Sequence, residues 1–302
     1  MTPSPADPSL SAPDTPSRGQ PVTGQLRRGR AILAAGGVPS PDYDAAELLA
    51  HVLGTTRARL VSVDEVTPQQ QQEYDVLLGR RARREPLQHL TGTAAFRYVE
   101  LAVGPGVFVP RPETELLAGW GVERARAVLD AGRTPVIVDL CTGSGAIALA
   151  LATEVPAAQV HAVELGDDAY AWAVRNLERS GVDLRHGDMA DAFPDLDSRV
   201  DVVLCNPPYI PLSAYLSVAP EAREHDPALA LWSGDDGLAA MRALERVAAR
   251  LLRVGGVVGA EHADVQGESA PAVFARAGRW SDVRDNPDLA GRPRYVTARL
   301  AR

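Results

Sequence analysis

The sequence runs to 302 residues, 45% of them hydrophobic and 23% charged, which excludes general disorder and suits one large core with a smaller domain beside it. With 31 basic against 39 acidic side chains the formal charge is -8, and this argues against an affinity built on neutralising many phosphates along a duplex. Two cysteines, Cys141 and Cys205, exclude a disulfide scaffold, and the lack of a signal-peptide start or a run of about 20 apolar residues predicts a cytoplasmic protein.

Residues 1–22, rich in Pro, Ser, Asp and Ala, read as a disordered tail. Residues 23–86 read as a small helical bundle. Ser40-Pro41 supplies an N-cap and a first-turn proline, Ala45, Leu48, Leu49, Val52 and Leu53 follow at helical spacing, and Gly54 closes the helix. Thr67-Pro68 repeats the start signal, Leu77 and Leu78 face inward, and Arg80, Arg81, Arg83 and Arg84 form a cluster that suits a solvated helix face better than a phosphate-binding surface. Residues 87–109 turn short and apolar with Gly and Pro punctuation, which predicts a hairpin or linker.

From Pro110 onward, strands and helices alternate across residues 110–302. Apolar runs at Val136-Ile137-Val138, Val160 to Val163, Val200 to Leu204 and Val257 to Ala260 are separated by helical patterns such as Ala146 to Ala152, Asp168 to Arg179 and Gly237 to Leu252. That alternation predicts an α/β domain with a doubly wound, mostly parallel sheet. Trp280 to Arg284 and Arg294 to Leu300 have only a loop between them, so the last strand should run antiparallel.

Ligands of doubly wound sheets bind at the carboxyl ends of the strands. The first strand passes into Asp139-Leu140-Cys141-Thr142-Gly143-Ser144-Gly145, a turn whose small residues let the backbone approach a ligand. It departs from a dinucleotide fingerprint, because Ala148 stands where a further glycine is wanted and Cys141 where the first would be. Glu164 ends the second strand, where a carboxylate can accept both ribose hydroxyls of a nucleoside. Asp188 and Met189 follow the third, placed to receive an adenine amino group and to pack on its ring. Singly these are a helix-terminal charge, a turn former and filler; at the ends of three successive strands they point to S-adenosylmethionine.

The fourth strand ends in Cys205 and enters Asn206-Pro207-Pro208-Tyr209. Two prolines fix an extended segment without N–H groups and leave its carbonyls free to accept. If the Asn206 side-chain oxygen and the Pro207 carbonyl hold the two N–H bonds of a planar nitrogen, they stabilise the positive charge that develops as it gains a methyl group. Tyr209 stacks on the flat acceptor, and no strong general base is required. By its residues alone the motif specifies a planar nitrogen, whether amide or aromatic amine. Cys141 and Cys205 end neighbouring strands and read as two inert buried thiols more readily than as a redox pair.

Over about Arg80 to Leu300 the chain resembles the bacterial peptide chain release factor glutamine methyltransferases, the HemK-type enzymes. The matching stretches are Arg84 to Gly92, Pro110-Arg111-Pro112-Glu113-Thr114-Glu115, Asp139 to Gly145, Asn206 to Tyr209, Pro227 to Leu231, Gly234 to Leu238, Glu261 with Gln266, and Asp288 to Arg294. The resemblance implies a class I methyltransferase sheet behind a helical substrate-docking domain, and transfer of a methyl group from S-adenosylmethionine, without a metal, to the side-chain nitrogen of the glutamine in the Gly-Gly-Gln motif of release factors. Carried over by position, Cys141, Thr142, Gly143, Ser144, Gly145, Glu164 and Asn206 would contact the cofactor, and Asn206, Pro207, Pro208 and Tyr209 the glutamine. Met189 stands where many relatives have Trp, and Cys141 replaces a glycine. The expected partner is the Gly-Gly-Gln domain of a release factor, met by a monomer without membrane or direct nucleic acid. Alternatives left open are a ribosomal-protein glutamine, an adenine-N6 in DNA, and a non-catalytic protein that binds release factors or ribosomes.

Overall fold

A computed structural model describes residues 19–302. The expected tail falls outside these residues apart from its end, and that end is ordered. Gln20–Pro21 (β1) pairs antiparallel with Glu65–Val66 (β2), and helix α1 (Val22–Ala35) starts at once, with Val22 buried and its N–H bonded to the Asp64 carbonyl. The chain divides at Leu87/Gln88 into two compact units.

In the first unit, α1 packs with α2 (Pro41–Val52) and α3 (Pro68–Ala82) around Leu33, Leu48, Leu49, Tyr74 and Leu78. Thr67 caps α3 more fully than its Pro neighbour suggests: its hydroxyl accepts from the Gln70 N–H, and the Gln70 side chain accepts from the Thr67 N–H. Ser40 makes no side-chain cap, and the start of α2 rests on Pro41 with Asp42 and Asp44 in the first turn. The arginine cluster is not one solvated face. Arg81 turns inward and donates to Asp44 at 2.7 Å, both side chains buried, while Arg80 pairs with Glu85. Charge clustering in sequence does not tell which member of a helix turn faces the core.

A short helix α4 (Leu87–Thr91) leads to the hairpin of β3 (Thr93–Phe96) and β4 (Val99–Ala102), which is part of the second unit and tied into it. Asn176 bonds both the N–H and the carbonyl of Ala102 and also donates to the Ser144 carbonyl. Then follow α5 (Thr114–Asp130), β5 (Val136–Leu140), α6 (Ala146–Glu154), β6 (Gln159–Glu164), α7 (Asp167–Leu177), β7 (Asp183–His186) and β8 (Val200–Cys205). Short helices α8 (Pro220–His225) and α9 (Ala228–Leu231) precede α10 (Ala239–Leu251), β9 (Leu252–Glu261), α11 (Ser269–Ala277), β10 (Trp280–Pro287) and β11 (Pro293–Leu300).

The seven strands lie in the order β10-β11-β9-β8-β5-β6-β7. Those from β9 to β7 are parallel, and β11 runs antiparallel between β9 and β10, so the last strand is inserted rather than appended. Both faces are covered, which is why Val202 to Cys205 of β8 reads as an unbroken apolar run: Val202 and Leu204 pack on one side with Leu117 and Leu151, Val203 and Cys205 on the other with Leu244 and Phe274. Helix α5 lies so close to the sheet that a Cβ on Gly259 would meet Leu117 and Trp120 at 2.8 Å. Among the described residues no helix is long and apolar enough to cross a membrane.

Candidate active site

The register of β5, β6 and β8 brings Leu140 level with Val163 and Cys205, so the segments that follow these strands open into one cleft. Residues Cys141 to Gly145 form a turn with positive φ at Cys141 (59°), Gly143 (58°) and Gly145 (85°). Cys141 therefore holds a left-handed conformation that glycine adopts freely. The turn is anchored from beneath by Asp139, whose carboxylate accepts from the Thr142 hydroxyl at 2.5 Å and the Ala148 N–H at 3.2 Å. Complete burial pushes that carboxyl up to about 7.

Glu164 is held by backbone alone. One oxygen accepts from the Gly143 N–H and the other from the Gly166 N–H, each at 2.8 Å, and each keeps a further lone pair. Asp188, exposed, accepts from the Ala190 N–H, and Met189 meets the Cys141 thiol at 3.7 Å. The paired thiols differ: Cys141 is half-buried and Cys205 fully buried, with burial first and the neighbouring Cys141 second raising the Cys205 thiol pKa.

The Asn206 to Tyr209 segment is held by side chains. Asn206 Nδ2 donates to Thr114 Oγ1 at 3.3 Å, Thr114 Oγ1 donates to Glu261 Oε2 at 2.7 Å, and the Tyr209 hydroxyl donates to Glu261 Oε1 at 3.1 Å. Cys205 lies opposite Ala260 in the parallel β8–β9 pair, which sets Asn206 beside Glu261. Gln266 donates to the Tyr209 and Gly237 carbonyls, and Ile210 bridges to Trp232. Burial raises the Glu261 carboxyl, against the pull of Thr114, Tyr209 and Arg294. Burial, followed by the nearby Glu261 charge, also raises the Tyr209 phenol and keeps it a donor.

Both groups of residues line one cavity of about 940 Å³, at the upper end of the range typical of small-molecule sites. Cys141, Thr142, Gly143, Ser144, Glu164, Asp188, Met189, Asn206, Pro208 and Tyr209 form its wall. Two expected residues do not: Gly145 faces Leu177, where a Cβ would sit 3.0 Å from the side chain, and Pro207 is buried behind the wall. The wall also includes Phe108, Arg111, Thr114, Leu229 and Trp232, to which no role fell on sequence grounds. Arg111 donates to buried Asp226 at 2.8 Å. Burial pushes the Asp226 carboxyl up to about 6 even so. The only sequence signal for Arg111, Thr114 and Glu261 was their place in the matching stretches.

A family model described as the PrmC N-terminal domain matches residues 25–92, and one described as a methyltransferase small domain matches residues 126–218. The release factor glutamine methyltransferase of Streptomyces coelicolor is 58% identical over 269 residues, 89% of this chain and 94% of its own. That of Mycolicibacterium smegmatis is 48% identical over 275 residues, 90% and 95% of the two chains. A 4-amino-L-phenylalanine/4-methylamino-L-phenylalanine methyltransferase of Streptomyces pristinaespiralis is 47% identical over 209 residues, 69% of this chain and 71% of its own. Among solved structures, the hMettl16 catalytic domain in complex with the MAT2A 3′UTR hairpin 6 has a TM-score of 0.51 at 13% identity, covering 67% of this chain and 75% of that one, which shows the fold alone. The extent and identity of the first two matches, on a class I methyltransferase sheet, mean that this chain belongs to the release factor glutamine methyltransferases, enzymes dependent on S-adenosylmethionine.

Proposed function

We propose that this protein methylates the side-chain amide nitrogen of the glutamine in the Gly-Gly-Gln motif of peptide chain release factors, with S-adenosylmethionine as donor and S-adenosylhomocysteine as product. The observation that carries the reading is the fixed Asn206, whose Nδ2 is bonded to Thr114 while it forms part of the cavity wall.

The residues suit the donor. Glu164 has one free lone pair on each oxygen once Gly143 and Gly166 are counted, enough for two ribose hydroxyls. A Cβ on Gly143 would meet nothing within 4 Å, so the space over the turn is clear for a ligand. Asp188 keeps an oxygen for the adenine amino group and Met189 an apolar surface for the ring. When bound, the cofactor supplies a methyl group made electrophilic by its sulfonium.

The rest of the mechanism belongs to the protein. A carboxamide nitrogen is planar and weakly nucleophilic because its lone pair is delocalised. Asn206 Oδ1 and the Pro207 carbonyl accept its two N–H bonds, which aims the nitrogen and offsets the positive charge it develops. Pro207 can serve only through its backbone, since its ring is buried. Tyr209 covers the flat acceptor, and the released proton passes to water. The same reading has a cytoplasmic monomer acting on the release factor, with no metal and no nucleic acid, and gives residues 23–86 the docking role.

The test is a purified-protein assay with labelled S-adenosylmethionine that offers release factor, ribosomal protein, duplex DNA and 4-amino-L-phenylalanine separately. Label on the release factor is expected. Label on any of the others with none on the release factor would overturn the proposal.

A further inference from the structure

We infer that Thr114 and Glu261 are positioning residues that decide which way round the Asn206 carboxamide sits, so that its oxygen and not its nitrogen faces the acceptor. The inference rests on the reading of Asn206 as the acceptor of the substrate's N–H bond and adds what keeps it in that role.

A count of protons gives the direction. An ionised carboxylate accepts and never donates, so the two hydroxyls that reach Glu261 must both donate to it: Thr114 into Oε2 and Tyr209 into Oε1. Thr114 has one proton and has used it. Toward Asn206 its oxygen has only lone pairs, and the side-chain group that can meet lone pairs is the Nδ2 amine, found there at 3.3 Å. With Nδ2 engaged at one tip of the planar carboxamide, Oδ1 occupies the other. The inverted carboxamide would set Oδ1 against the Thr114 oxygen with no proton between them.

The two supports are buried: Thr114 is 4% exposed and Glu261, which lies off the cavity wall, 2%. At Glu261 a lost partner is therefore not cheaply replaced by water. One carboxylate also fixes both ends of the motif, Asn206 through Thr114 and Tyr209 directly. A carboxamide no longer held could invert and present N–H to N–H, or turn away from the acceptor altogether, and the reaction would lose its acceptor while the cofactor end of the cleft stayed intact.

The experiment uses the full chain and two substitutions that keep shape, Thr114→Val and Glu261→Gln, with Thr114→Ser as the rescue. Two readouts are needed. The first requires no substrate: in an amide ¹H–¹⁵N spectrum, the Asn206 side-chain pair, identified by its loss in Asn206→Ala, should move on Thr114→Val and return on Thr114→Ser. The second is the rate of methyl transfer to the release factor. Thr114→Val and Glu261→Gln should each lower kcat about 10- to 100-fold, the range for partners that orient a group touching the substrate. KM for the release factor and the affinity for S-adenosylhomocysteine should stay within about threefold. Thr114→Ser should recover most of the rate, and the double substitution should be little worse than either single one, because both break one chain.

An Asn206 resonance unmoved by Thr114→Val would overturn the inference, as would a kcat loss that Thr114→Ser fails to restore or that tracks loss of cofactor affinity. Failure of the wild-type protein to label the release factor would instead break the substrate assignment, and the spectrum would still decide the orientation.

Discussion

The two ends of the cleft are held by different means. At the proposed cofactor end most contacts run from backbone to carboxylate: Gly143 and Gly166 N–H groups fix Glu164, and Asp139 fixes the turn through the Ala148 N–H and the Thr142 hydroxyl. Such contacts depend on where the chain goes more than on which side chain it carries, and Cys141 accordingly stands at a left-handed position. At the proposed acceptor end Asn206 and Tyr209 are held by the side chains of Thr114, Glu261 and Gln266, brought from other elements. The first design tolerates substitution, and the second transmits it.

The largest effect is expected from Asn206→Ala. Loss of a group that stabilises developing charge lowers rates about 100- to 1000-fold, and kcat should fall on that scale while S-adenosylhomocysteine binding, measured calorimetrically, changes only a few-fold. A comparable loss of cofactor affinity would erase the distinction between the two ends. Glu164→Ala should do the reverse. A hydrogen bond to a charged group contributes about 1.5–3 kcal/mol, and two of them at the lower end put the rise in the dissociation constant for S-adenosylhomocysteine at about 100-fold, with kcat at saturating cofactor much less affected.

A smaller effect is expected from pH. Burial, opposed by Thr114, Tyr209 and Arg294 and reinforced by Glu113, holds the Glu261 carboxyl above its ordinary 4.5. Between that value and the raised one, the folded protein keeps a proton that the unfolded chain has released. This group's contribution to stability is therefore greatest at low pH and is lost as pH rises through the folded pKa. Activity should run the other way, because a protonated Glu261 no longer accepts from both hydroxyls. Rate and melting temperature followed from neutral pH downward should show kcat falling on a limb above the ordinary carboxylate range without a parallel loss of fold attributable to Glu261; an acid limb at the ordinary value would mean that Glu261 does not govern the acceptor. The smallest effect belongs to Cys141→Gly. A non-glycine residue at positive φ carries strain of about 1 kcal/mol, partly offset by glycine's greater freedom in the unfolded chain, so melting temperature, cofactor affinity and kcat should all stay near wild type. A tenfold loss of cofactor affinity or of kcat would show that the thiol is needed.

Much of this contrast follows how local each feature is. The apolar runs of β5, β6 and β8, the glycine turn, Glu164 and the Asn206 to Tyr209 motif are contiguous patterns, legible because a buried parallel strand demands apolar residues on both faces and a close backbone approach demands small ones. The acceptor's supports are not contiguous. Thr114 opens α5 and lies 92 residues before Asn206, and nothing in its own neighbourhood says that its hydroxyl will be used twice. Glu261 was visible only as part of a matching stretch. Asn176, which ties β4 to the turn at Ser144, sits in an ordinary amphipathic helix. Arg81 looks like its exposed neighbours until the pairing with Asp44 places it inside. Gln20 to Val22 looked like tail because their order depends on β2, more than 40 residues away. Pro207 and Gly145 belong to the motifs but lie off the cavity wall.

The measurement that tests the account most directly is site-resolved mass spectrometry of a release factor incubated with S-adenosylmethionine and either the wild-type protein or Asn206→Ala, with docking of both proteins to the release factor checked in parallel. The account predicts one added methyl group on the Gly-Gly-Gln glutamine with the wild type, about 1% of that or less with Asn206→Ala in the same early interval, and equal docking. Methylation at another residue, or undiminished methylation by Asn206→Ala, would contradict it.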